Sequence, residues 1–153
     1  ELLIVVAIIA IIAAIAVPSL LTSRMAANEA SGIEGCRTAG SAEVAFASTN
    51  NAQYTTLDTL WTQGFLDQRF QTGFNGYTYN VDAAQAIAGV PTIITTFAPP
   101  NSFGIIATPT QGLSRFQYGI APDQVVRYLD VPFGDTPPLG LAPGDGVGKM
   151  TTP

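Results

Sequence analysis

From Leu2 to Val17 the chain reads LLIVVAIIAIIAAIAV, without one polar side chain. The run is apolar on every side, so it is not the one-sided helix of a soluble surface. As an α-helix it spans about 24 Å, short of the ~30 Å hydrocarbon core of a bilayer. Leu20, Leu21 and apolar residues upstream of Glu1 would close the gap. Lipid or other protein must cover such a surface. Composition agrees: hydrophobic residues make up 47% and charged residues 11% of the chain, with a mean hydropathy of +0.30. Soluble domains carry about 25% charged residues.

A signal-peptide core and a plain membrane anchor both fit such a run. Glu1, directly before it, points further. A carboxylate at membrane depth is costly and calls for a charged partner. Glu1 followed by LLIVVAIIAIIAAIAVPSLL resembles the N-terminal segment of type IV pilins and pseudopilins. The likeness covers Glu1 to Leu21, and Pro18 matches the family's helix-breaking proline. The resemblance implies that a basic leader, a prepilin peptidase site and a few residues precede Glu1, and that the processed N-terminus is methylated. It also implies that the Glu1 carboxylate pairs with the N-terminal amine of a subunit in a growing filament.

The resemblance further implies a homopolymer, held in the inner membrane and then built by pilus assembly machinery into an extracellular, cell-surface filament. Its core would be formed by Leu2, Leu3, Ile4, Val5, Val6 and Ile8. Ile9, Ile11, Ile12, Ile15 and Val17 would continue that core. The leading expectation is the major pilin of a type IV pilus, for which adhesion and motility are family functions. A pseudopilin of a type II secretion system, a minor pilin, and a membrane-tethered binding domain that never polymerises remain open.

Pro18 lacks an N–H, clashes with the carbonyl of Ala14 and disfavours helix at Val17. Assembled pili of the family often show this stretch melted. A break is therefore expected between Ala10 and Pro18, with a mere kink as the alternative.

After Pro18 the pattern turns amphipathic. Leu21, Met25, Ile33, Cys36, Gly40, Val44 and Ala47 recur at helical spacing, while Ser23, Asn28, Glu29, Glu34, Arg37 and Glu43 fall mostly elsewhere. One helix is expected over 19–49, continuing the stalk of 1–18, with Asn50-Asn51 as its stop. Gly32, Gly35 and Gly40 weaken it but permit close approach of another element. A linker over 50–75 follows, with a short helical turn capped by Thr56 or Asp58. Leu57, Leu60, Trp61, Phe65, Leu66 and Phe70 are expected to cover one end of the core.

Strands are expected at Tyr77–Val81, Pro91–Ala98, Phe103–Thr108, Arg115–Ile120 and Val125–Val131. The fold class is thus α+β: a long N-terminal helix packed on an antiparallel meander of four or five strands, the pilin head arrangement. The head spans 19–130, its sheet lies within 76–131, and a Pro/Gly-rich tail fills 131–153. The run from Gly76 through Phe103 to Tyr128 also resembles a group of bacterial pilin-like proteins.

The remaining chemistry is sparse. There is no histidine and one cysteine, Cys36, so neither an internal disulfide nor a Cys/His metal cluster is available. Serines and threonines have no histidine to activate them, and no enzyme is expected. The net charge of −5 argues against a nucleic-acid partner. Asp123, Asp130, Asp135 and Asp145 are weak Ca²⁺ candidates, a thought prompted by the calcium sites of pseudopilins. Their spacing fits no calcium loop, and solvated turn aspartates are the simpler reading. No cofactor is expected beyond that candidate.

Overall fold

A computed structural model describes residues 2–81, 102–110 and 112–130. One helix, α1 (Leu2–Thr49), supplies the spine. Two short helices follow, α2 (Leu57–Thr62) and α3 (Arg69–Thr72). The sheet contains β1 (Tyr77–Val81), β2 (Ile105–Pro109), β3 (Phe116–Ile120) and β4 (Arg127–Asp130). Every neighbouring pair is antiparallel, in the order β1-β2-β3-β4. The fold is therefore α+β, with a long helix packed on an antiparallel sheet that has four strands among the described residues.

The registers pair Tyr79 with Ala107 and Tyr118 with Tyr128. Period-two alternation sends Tyr77 and Tyr79 from β1 to the core, where Ile105, Ala107, Tyr118 and Ile120 join them. The strand expected at Pro91–Ala98 lies outside the described residues, as does the tail of 131–153.

α1 runs without interruption through Pro18. The break expected between Ala10 and Pro18, around Ala14, is absent from this single chain. Proline removes one helical hydrogen bond and costs ~3 kcal/mol, but the turns on both sides remain intact. Downstream, the Thr22 hydroxyl donates to the Ser19 carbonyl at 2.9 Å and Ser23 does the same at 2.9 Å. The helix ends as expected at Asn50-Asn51. Asn50 Nδ2 donates to the Phe46 carbonyl at 3.0 Å, and the Ala52 amide donates to Ala47 at 2.9 Å. Asn51 adopts a left-handed φ of 53°, which asparagine tolerates better than most residues.

The core face of α1 differs from the expected one. Its buried residues are Glu29, Gly32, Gly35, Cys36, Ala39, Gly40, Ala42, Glu43, Phe46 and Ala47. Glu29 and Glu43, expected off the face, are on it; Val44, expected on it, is exposed. The spacing explains this. Glu29, Cys36 and Glu43 lie seven residues apart, which returns to nearly the same side of an α-helix.

The sheet reaches α1 through its glycines. A Cβ on Gly32 would lie 2.9 Å from the Tyr77 ring, and one on Gly40 would lie 2.7 Å from Ile120 Cδ1. On Gly35 it would overlap the Tyr79 phenol. Thr56 caps α2, accepting from the Thr59 amide. Leu57, Leu60, Leu66 and Phe70 are buried at that end of the core, whereas Trp61 is half-buried and Phe65 is exposed.

Candidate functional site

The feature that sets this molecule apart is the half of α1 that touches nothing. All residues from Leu2 to Leu21 are exposed, Leu3 at 83% and Ile15 at 71%. Twenty residues at the helical rise give an apolar rod about 30 Å long, enough to cross a bilayer. By length and composition α1 qualifies as a membrane span, and none of its most apolar window is buried in the head. The core residues expected from Leu2 to Val17 all stand on this rod. Glu1 lies outside the described residues.

The rod is not a flexible appendage joined by a loop. The same helix continues into the head, where its buried face begins at Glu29. That carboxylate fixes the junction. Glu29 Oε1 accepts from Arg115 Nε at 2.9 Å and from the Arg115 backbone amide at 3.2 Å, while Oε2 accepts from Nη2 at 3.0 Å. Nearby, Asn28 Nδ2 donates to the Leu113 carbonyl at 2.8 Å and Asn75 Nδ2 donates to Ser31 Oγ at 2.8 Å. These bonds tie the base of the head to the helix over about one turn.

Deeper in the head, Glu43 is fully buried. Its Oε2 accepts from the Thr55 amide at 3.1 Å, and Oε1 has no partner among the described residues. Burial pushes its pKa up to about 7, partly offset by the Thr55 amide. Cys36 is also fully buried, as expected of a small apolar residue, and desolvation pushes its thiol up to about 12. Such a thiol is no nucleophile at neutral pH.

Of the weak calcium candidates, Asp123 is the one whose side chain lies among the described residues. Asp123 forms a two-pronged pair with the buried Arg127, through Nη1 to Oδ1 at 2.8 Å and through Nη2 to Oδ2. Its carboxylate is thus already occupied. The Asp130 side chain, Asp135 and Asp145 lie outside the described residues. No cluster of three or more metal-ligating side chains occurs among the described residues.

Residue reasoning missed the Glu29–Arg115 junction because its partners are 86 positions apart. The seven-residue recurrence of Glu29, Cys36 and Glu43 was the available signal. No protein-family model and no curated protein matches this chain.

Proposed function

We propose that this protein is a structural subunit of a type IV pilus-like extracellular filament, as its major pilin. Subunits wait in the inner membrane with Leu2–Leu21 in lipid. The stalks then bundle into an apolar core and the heads pave the outside. One observation carries this reading: a 30 Å-class apolar rod is rigidly continuous with the spine of a folded head. Once the rods have left the lipid, each Leu or Ile that the bundle shields from water contributes about 1.5–3 kcal/mol, which holds the filament together. Within the bilayer, association rests on close packing instead. The N-terminal resemblance of Glu1–Leu21 supplies the family, and with it the prepilin peptidase and assembly machinery as partners.

A second reading is a head tethered to the membrane that never polymerises. The unbroken passage of α1 through Pro18 favours it. Electron cryo-microscopy of material sheared from cells that make this protein separates the two. Filaments with this head outside and Leu2–Val17 in a central bundle support the subunit. Protein that stays in the membrane fraction, with no filament released, overturns it and favours the tether or a pseudopilin.

A further inference from the structure

The length of the apolar rod fixes the depth at which the head meets a membrane. Leu2–Leu21 matches the ~30 Å hydrocarbon core, and a bilayer adds roughly 5–7 Å of polar headgroup layer on each side. Arg24 is the first charged residue beyond the rod, three residues past Leu21, or about 4.5 Å. Its backbone therefore stands within the headgroup layer. The turn beneath it suits that depth, because the Thr22 and Ser23 hydroxyls are both spent on the Ser19 carbonyl.

Arg24 is exposed and has no ion-pair or side-chain hydrogen-bond partner among the described residues. It borders a hollow of about 390 Å³ at the base of the head, lined also by Leu21, Met25, Asn28, Asn75 and Leu113. No carboxylate lines that hollow. The next acid along the helix, Glu29, is already held by Arg115. Leu113, in the turn between β2 and β3, is 44% exposed. Asn28, one helical turn past Arg24, donates to the Leu113 carbonyl at 2.8 Å and so sets the height of that turn. The mean tilt of a spanning helix is about 20°, and a lean toward the head lowers Leu113 to the headgroups.

Resting on the membrane stage of the reading above, we propose that this hollow seats the headgroup of an anionic phospholipid. Arg24 takes the phosphate, while Leu21, Met25 and Leu113 cover the glycerol and the first methylenes. Lipid is the occupant because the surface is continuous: Leu21 belongs both to the rod and to the hollow. Charge complementarity selects the anionic kind. A zwitterionic headgroup brings its own cation, and no carboxylate lines the hollow to receive it. The chain as a whole carries a net charge of −5, so an anionic surface repels it and attracts this end. The seat thus holds the head down on the bilayer beside the rod.

Fluorescence quenching by lipid tests the seat. The full chain carries Thr110→Cys, on the same exposed turn but outside the hollow, labelled with an environment-sensitive fluorophore. Native Cys36 is buried and does not compete. Gln63→Cys is the control, two residues from the Phe65 that packs on Phe46 near the far end of α1. Each form is reconstituted at low copy number in vesicles with a fixed fraction of nitroxide-headgroup lipid. In phosphatidylglycerol–phosphatidylcholine vesicles, quenching at position 110 is expected to exceed that at 63 several-fold. It should fall several-fold in phosphatidylcholine alone. Arg24→Gln lowers it to the same degree and Arg24→Lys retains most of it, while every form still floats with the vesicles. Equal quenching at both positions, or quenching indifferent to Arg24→Gln or to lipid charge, overturns the seat and leaves the span standing. A probe shielded from water but unquenched marks protein in the hollow and also overturns the seat. A chain that does not float with vesicles overturns the span and the seat together.

Discussion

Glu29 on α1 grips Arg115 at the foot of β3 with both carboxylate oxygens, at 2.9 and 3.0 Å, and also takes the Arg115 backbone amide. The Arg115 side chain is 56% exposed and that of Glu29 is 10% exposed. The clamp therefore anchors the spine to the sheet at the point where the free rod begins. Glu29→Ala leaves Arg115 able to reach water but strands its backbone amide. The expected loss is about 1–2 kcal/mol of stability, read as an earlier unfolding midpoint of the detergent-solubilised chain in urea. An unchanged midpoint would remove the clamp from the account.

Gly35 sits against the Tyr79 ring, where an added Cβ would lie 2.6 Å from Tyr79 Cε1. Gly35→Ala raises helix propensity by about 1 kcal/mol but forces the ring or the sheet outward. Overpacking wins, with a net loss of about 1–2 kcal/mol. Ala30→Gly, on the exposed face, serves as the propensity control and should cost about 1 kcal/mol. If Gly35→Ala stabilises the protein in thermal unfolding, the close approach of β1 is wrong.

Glu43 imposes a pH dependence of defined sign. Its folded pKa, about 7, lies above the ordinary 4.5. Between those values the native state holds the proton more tightly than the unfolded chain, so stability falls as pH rises. Below 4.5 both states hold the proton, and above 7 neither does. Glu43→Gln should flatten this slope and leave the variant more stable above pH 7, by about 3 kcal/mol at most. Urea midpoints of both proteins from pH 4 to 8 measure it; parallel curves would count against a buried, poorly solvated carboxyl.

Cys36 should resist alkylation. Its thiol is fully buried and pushed up to about 12, so almost no thiolate exists at pH 8. Mass spectrometry after iodoacetamide is expected to find the native protein unlabelled and the urea-unfolded protein labelled once. Rapid native labelling would mean that the helix leaves the sheet far more readily than its packing suggests.

Glu1 provides the prediction that bears on assembly. Its resemblance to the pilin glutamate implies a charge pair with the N-terminal amine of another subunit. Glu1→Ala should leave the protein in the membrane fraction and reduce sheared filaments at least tenfold. A normal yield would remove Glu1 from the assembly mechanism.

Much of the architecture was legible residue by residue. β1 matches the expected Tyr77–Val81 because its alternation is clean and turn formers precede it. The stop at Asn50-Asn51 and the Thr56 cap were readable because both rest on local hydrogen bonds. Glu29, Glu43 and Val44 depart from the face that polarity alone predicts, because the side facing the sheet, not side-chain polarity, decides burial. A carboxylate can face a core when a partner, or a proton, removes its charge.

The amino-acid sequence by itself determined the apolar rod, the helical spine and the alternating strands. Each follows from side-chain periodicity and backbone preference within a few neighbouring residues. Tertiary structure alone decided which charges remain outside. Arg115 reaches Glu29 only after the sheet folds back across 86 positions, and Glu43 loses water only when the head closes over it. What is left on the outer face of α1, Arg24, Glu34 and Arg37, is the remainder of that sorting. Long-range burial sets it, because desolvation depends on what surrounds a charge rather than on its place in the chain.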